Sequence, residues 1–371
     1  MKTLFTPSAH LSDLQLEIGK IIDSGEAKGL MILACDNNAY DVEQFNLMIQ
    51  QIKIPVFGGI FPSIINGYSN YDKGAIVAGM QTLPTVEVIE NISNSNTRFD
   101  QLLSGLNARS SMFKSMIVFI DGFSQRISDF TSSLFNNVGF NVNYIGGGAG
   151  SLSMQPKPCI ITNKGLLTDA AVVAGTSLES GIGVNHGWDS ISEPLKITDS
   201  EKNTIKTINF KPAFEVYKEI VELHSHKKIY PEKFFEMSKS YPFGINKMEG
   251  EKIIRDPVIL TEKGELVCVG EIPKGAWVEI MHGDTRSLIR ASNDAFNTAL
   301  ETHPKSSNRN FTFFIDCISR ALFLENSFKL ELTAVYDARY PHFGALTIGE
   351  IANNGTAYLE FYNKTAVVGC F

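Results

Sequence analysis

Apolar residues follow two alternating rhythms along this chain. Between residues 13 and 22, Leu14, Leu16, Ile18, Ile21 and Ile22 recur at the spacing of an amphipathic helix. Leu30-Met-Ile-Leu-Ala-Cys35 then forms an unbroken apolar run that reads as a buried strand ending at Asp36. A second helix is expected over 40–52. Pro55-Val-Phe-Gly-Gly59 reads as a strand into a glycine turn, and Ala75-Ile-Val-Ala-Gly-Met80 as a further apolar strand, with residues 2–5 as a first edge strand.

The same rhythm returns twice. Residues 86–92 are strand-like, 99–106 helical, Met116-Ile-Val-Phe-Ile-Asp121 a buried strand, 130–135 helical, 144–150 a strand with glycines, and Ala170-Ala-Val-Val-Ala-Gly175 mirrors residues 75–79. A third copy is read from Ala276-Trp-Val-Glu-Ile-Met281. It continues through a helix over 287–300, the strand Phe311-Thr-Phe-Phe-Ile-Asp316-Cys317, helical 322–336, the glycine segment 342–350 and Thr365-Ala-Val-Val-Gly369. Three marks recur in order: an aspartate at a strand end (Asp36, Asp121, Asp316), a glycine turn, and a short Ala/Val/Ile strand closing on glycine.

The expected fold is therefore α/β (α+β), with mixed β-sheets covered by helices. It would be built from about three copies of a strand-helix-strand-helix-strand-strand unit, two in an N-terminal domain and one in a C-terminal domain. Between the second and third copies lie a polar stretch over 192–206, a helix beginning near Pro212, and a strand-turn-strand over 258–268. A boundary in this region divides the chain into 1–200 and 201–371. Gly146, Gly147 and Gly148, in Val142-Asn-Tyr-Ile-Gly-Gly-Gly-Ala-Gly-Ser151, read as the strand end that enters a ligand pocket, with a tight turn as the alternative.

Composition narrows the function. A chain of 371 residues, 43% hydrophobic and 20% charged, has enough length for a sizeable core. A net charge of −7 without a long Lys/Arg block makes nucleic acid an unexpected partner. The N-terminus carries no apolar signal core and no apolar run reaches membrane-spanning length, so a cytoplasmic location is expected. Cys35, Cys159, Cys268, Cys317 and Cys370 are scattered, without the spacing of a disulfide framework or a zinc site. The dinucleotide fingerprint fails after Gly148, and phosphate-loop, His-Glu-x-x-His and Gly-x-Ser-x-Gly signatures are lacking.

Several side chains retain two readings. The strand-end aspartates can accept backbone N–H groups or contact a ligand. Cys317 can be an activated nucleophile of a hydrolase or transferase, or a small apolar filler. Arg320 and Glu350 can meet at neighbouring strand ends, where the arginine holds a ligand carboxylate or the two form a salt bridge.

The ordered series Gly146 to Gly150, 170–188 with Gly187-Trp188, Phe210-Lys-Pro-Ala-Phe-Glu-Val-Tyr217, Tyr241-Pro-Phe-Gly244, Ile254-Arg-Asp-Pro257, Ile272-Pro-Lys-Gly275, 314–320 and 343–351 resembles the FIST proteins. The likeness covers nearly the whole chain, with a FIST N-terminal domain over 1–200 and a FIST C-terminal domain over 201–371. It implies a non-enzymatic small-molecule sensor of bacterial signalling, and in some members a haem-binding nitric oxide sensor acting on a histidine kinase or cyclic-dinucleotide enzyme. The first glycine turn departs from the family pattern, reading Gly58-Gly-Ile-Phe-Pro-Ser63, while the third keeps Gly349-Glu350. The expected ligand-binding set is Gly146, Gly147, Gly148, Asp121, Cys317, Arg320 and Glu350. Haem would need an axial ligand, for which His186, between Val184 and Trp188, is the first candidate and His342 the second. A small polar metabolite such as an amino acid is the alternative ligand.

Overall fold

The helical and extended periodicities become helices and strands close to the expected bounds. The computed structural model describes residues 1–247, 251–353 and 357–371. The first unit comprises β1 (Lys2–Thr6), α1 (Leu11–Asp23), β2 (Gly29–Cys35), α2 (Val42–Ile49), β3 (Val56–Phe61), the hairpin β4 (Ser63–Asn66) and β5 (Ser69–Tyr71), and β6 (Ala75–Met80). The spacing of Leu14, Ile18 and Ile21 puts all three on the buried face of α1. Asp41 starts α2 by accepting the Gln44 N–H at 2.9 Å.

The second unit repeats the plan with β7 (Thr85–Glu90), α3 (Phe99–Asn107), β8 (Ser115–Asp121), α4 (Ile127–Val138), β9 (Asn143–Ala149), the hairpin β10 (Ile160–Thr162) and β11 (Gly165–Leu167), and β12 (Ala170–Thr176). After β13 (Gly181–Asn185) the chain enters an inserted region. This contains β14 (Asp189–Ser190), β15 (Leu195–Glu201), β16 (Thr204–Ile208), β17 (Lys211–Pro212), α5 (Ala213–Ser225), α6 (Phe234–Ser238), β18 (Phe243–Ile245), β19 (Ile253–Arg255), β20 (Pro257–Leu260), β21 (Leu266–Cys268) and β22 (Trp277–His282). Its strands join in one nine-stranded sheet around their own core of Ile197, Ile205, Tyr217, Phe243 and Ile280. The third unit then supplies α7 (Thr285–Thr302), β23 (Thr312–Cys317), α8 (Ile318–Leu324), α9 (Phe328–Val335), β24 (His342–Thr347), the hairpin β25 (Glu350–Ala352) and β26 (Glu360–Tyr362), and β27 (Ala366–Cys370).

The third unit differs from expectation in one strand. Residues 276–281 lie within or beside β22 of the inserted sheet, and the edge position next to β27 is taken by β13. β13 is shaped for α7, because a Cβ on Gly183 or Gly181 would stand 1.8 Å from the Ala295 carbonyl oxygen or 2.0 Å from that of Ala299. The inserted region thus interrupts the third unit between its first strand and first helix. The division between residues 200 and 201 falls inside β15.

All three units share one pairing scheme. β2 is parallel to β3 and antiparallel to β6; β8 stands likewise to β9 and β12, and β23 to β24 and β27. Each unit then passes its hairpin to another unit's sheet. β4 pairs with β24, β10 with β3, and β25 with β9, so three six-stranded sheets are closed in a cycle. At the centre, one ring from each sheet meets: Phe61 and Phe119 at 5.4 Å between centroids, and Phe119 and Phe313 at 6.5 Å.

The register locates the repeat. Gly58 faces Ile32, Gly146 faces Val118 and Gly344 faces Phe314 across the three parallel pairs. A Cβ at these glycines would lie 1.9, 1.8 and 1.7 Å from the facing carbonyl oxygens. The glycines Gly146, Gly147 and Gly148 therefore sit inside β9 rather than in a turn, and they serve close strand approach. Counted from the facing residues, Asp36 lies four positions past Ile32, Asp121 three past Val118 and Asp316 two past Phe314. The aspartates are accordingly not structurally equivalent; Cys35, Asp121 and Cys317 are.

Candidate functional site

The third-unit candidates come together, but in a sealed cluster. Arg320 at the start of α8 is fully buried, and its Nε lies 3.0 Å from Asp316 Oδ1. It also pairs with Glu331 of α9 and donates to the carbonyls of His186 (2.6 Å) and Leu288 (3.0 Å) and to Ser292 Oγ (2.9 Å). Its fork is consumed by the protein, and its ion-pair partners are Asp316 and Glu331 rather than Glu350. Glu350, also fully buried, accepts from Thr347 Oγ1 at 3.1 Å and from the Thr365 N–H at 3.2 Å. Burial pushes its carboxyl up to about 8, against these hydrogen bonds and Arg320, which favour the anion. Cys317 Sγ lies 3.0 Å from Ser319 Oγ, and burial followed by the charge of Glu350 raises the thiol to about 12. A thiol so held is protonated at neutral pH and is a poor nucleophile.

His186 stands elsewhere, beside a cavity of about 420 Å³. Its Nδ1 accepts the Trp188 N–H at 2.9 Å. Nε2 lies 3.0 Å from Glu251 Oε2, out of hydrogen-bond alignment. The cavity wall includes Asp189, Ser190, Lys252, Arg290 and Asp294. A porphyrin requires broad apolar faces, and this polar, charged wall does not fit one. His342 is buried among Phe314 and Tyr336, and desolvation followed by Arg309 lowers it to about 3.

Asp121 leads to a different place. Its Oδ1 accepts the Phe123 N–H at 3.0 Å and its Oδ2 the Asp169 N–H at 2.8 Å, so the strand-end carboxylate secures backbone groups. Asp169 Oδ1 in turn accepts from Ser93 Oγ at 2.6 Å and Ser124 Oγ at 2.7 Å. Those two serines line a cleft of about 520 Å³ that opens just beyond the carboxyl end of β8. Its volume suits a small ligand, and the carboxyl ends of parallel strands are where open α/β sheets place one.

The opposite wall of the cleft comes from the inserted sheet, through Lys202, Asn203, Arg255 and residues 269–271, with Ile348 and Phe361 of the third unit closing it. Arg255 is 4% exposed. Its Nε donates to the Glu271 carbonyl at 3.0 Å, and its Nη1 to those of Ile254 (3.0 Å) and Phe361 (3.3 Å). Gly270, at φ +86°, makes room, since a Cβ there would press on Arg255 Nε at 2.8 Å. Burial draws the guanidinium down to about 10, partly offset by Glu360 and Glu271. Sequence reasoning marked the stretch 254–257 only as a family likeness and gave Arg255 no role. The signal was its position beside Asp256-Pro257, but the cleft it faces is built from distant segments.

The chain is thus an α+β protein of three hairpin-exchanging units, with a cleft of about 520 Å³ between its second unit and an inserted sheet. The chain belongs to the FIST family: the FIST N domain matches residues 29–211 and the FIST C domain residues 213–353. FIST domains are associated with sensing in signal transduction. A search among curated proteins found no match to the chain. Among the described residues no helix is long and apolar enough to cross a membrane.

Proposed function

We propose that this chain is a non-catalytic sensor that takes a small polar metabolite into the 520 Å³ cleft and reports its presence to a separate signalling protein, such as a histidine kinase or a cyclic-dinucleotide enzyme. The observation that carries the reading is the origin of the walls. Ser93, Gly122, Ser124 and Lys202 fall within the FIST N match, whereas Arg255, Gly270 and Ile348 fall within the FIST C match. A ligand touching both walls favours the arrangement in which they stand closest, and its differential affinity is the whole of the free energy available for signalling.

Haem sensing of nitric oxide draws no support from the surroundings of His186, and no step is assigned to it. The test is thermal unfolding of the full chain against a panel of amino acids and small organic acids. Ser95 is exposed at the cleft mouth, and Ser95→Trp fills the opening. A compound that raises the wild-type midpoint and leaves the Ser95→Trp midpoint unmoved supports the reading. The reading fails if no compound stabilises the wild type, or if the stabilisation survives the tryptophan.

A further inference from the structure

We infer that the ligand's recognised group is an anion, a carboxylate or a phosphate, seated where the Arg255 guanidinium and the first turn of α4 face the same cleft. This rests on the cleft being the sensory site. The first observation is that Arg255 is buried without a counter-charge. Its partners are three backbone carbonyls, and among the described residues no carboxylate lies within ion-pair distance. Glu360, the leading long-range charge upon it, is engaged by Lys247. Nη2 has no hydrogen bond among the described residues and is not enclosed, and the residue lines both the cleft and a neighbouring cavity of about 270 Å³ whose wall includes Glu360. Burying a cation without a partner is costly, and a planar guanidinium with a free edge matches an oxyanion.

The second observation comes from α4. Ile127 and Ser128 line the cleft with Arg255, and among the described residues no side chain caps the start of this twelve-residue helix. Its N-cap, Arg126, takes a left-handed φ of +63° and turns its own guanidinium to Asp129, leaving the first-turn N–H groups for another acceptor. Such N–H groups, aligned with the helix dipole, favour negative charge. Lys202, with no ion pair among the described residues, adds a second cation, while the hydroxyls of Ser93 and Ser124 are already given to Asp169. Among the described residues Glu271 is the one carboxylate on the wall; it is exposed, and its carbonyl accepts from Arg255.

The test uses the full chain and three probes at constant ionic strength: inorganic phosphate, succinate and the neutral succinamide. Amide NMR shifts of Ile127, Ser128 and Asp129 report the helix end, and the Arg255 Nε–H signal reports the guanidinium. Phosphate or succinate should shift these signals and succinamide should not, the tighter of the two anions naming the source chemistry. Arg255→Gln should weaken the anion by roughly tenfold or more. Ser128→Glu places a carboxylate in the site, so it should raise the unfolding midpoint without ligand and abolish the anion response. Succinamide binding as tightly as succinate at these signals would overturn the anion while sparing the cleft as a site. Anion shifts that persist unchanged in both variants, or an absence of shifts with either anion, would also overturn it.

Discussion

Replacing Gly146 by alanine perturbs one atom at the tightest point of the second unit. An ideal Cβ there stands 1.8 Å from the Val118 carbonyl oxygen and 2.7 Å from its carbon, whereas real Cβ contacts do not fall below 3.0 Å. β8 and β9 must part by more than about 1 Å, which takes the flanking ladder bonds past normal hydrogen-bond length. Two or three weakened bonds at about 1 kcal/mol each, added to about 1–3 kcal/mol of overpacking, give a loss of about 3–6 kcal/mol. That is a large share of a typical stability of about 5–15 kcal/mol. The assay is urea unfolding followed by far-UV circular dichroism, with Gly19→Ala as the reference. Gly19 lies in α1 with nothing within 4 Å of its Cβ position, so that change should stabilise by about 0.5–1 kcal/mol. A loss below about 1 kcal/mol for Gly146→Ala, or an equal response at the two positions, would refute the close-approach account.

Glu350→Gln should abolish a pH dependence of stability. The native carboxyl is raised from 4.5 to about 8, so across that window the folded chain holds a proton the unfolded chain has released, and stability falls as pH rises. Glutamine stays neutral, and at about 1.4 kcal/mol per unit the variant should gain a few kcal/mol relative to wild type between pH 5 and pH 8. An equal effect of the variant at both pH values would contradict the assignment. Cys317, buried and held near 12, should react with iodoacetamide at neutral pH far more slowly than an unfolded-chain thiol, as peptide mass mapping can measure. Rapid labelling of Cys317 in the folded chain would revive the nucleophile reading.

Much of the fold was legible because its signals are local. The runs that became β2, β8 and β23 are apolar at nearly every position, since both faces of these strands are covered, and the α1 pattern states its buried face directly. Glycine was misread for a physical reason. Three consecutive glycines signal a turn when only the residue's conformational freedom is considered, but Gly146 to Gly148 are extended, and what selects them is the backbone lying against them. The third unit's first strand was misplaced because about one hundred residues separate β13 from α7 in sequence, and no local pattern records that they pack together. Arg320 and Glu350 could be placed at neighbouring strand ends from the pattern alone, but Glu331, which pairs with Arg320, lies on a helix face that reads as ordinary amphipathic surface.

By itself the sequence determined the element types, the repeat, and the family likeness, because periodicity, caps and strand runs are properties of neighbouring residues. Only the tertiary structure decided that the hairpins are exchanged in a cycle, and that Arg320 is sealed among carboxylates. It also decided that Arg255 lines a cleft with no carboxylate among the described residues within ion-pair distance of it. A charged side chain's role depends on what surrounds it, and here the cleft walls come from segments about 150 to 270 residues apart: Ser93 and Ser124 on one wall, Gly270 and Phe361 on the other. Coulombic and desolvation energies are set by that distance and burial, which the linear chain does not contain.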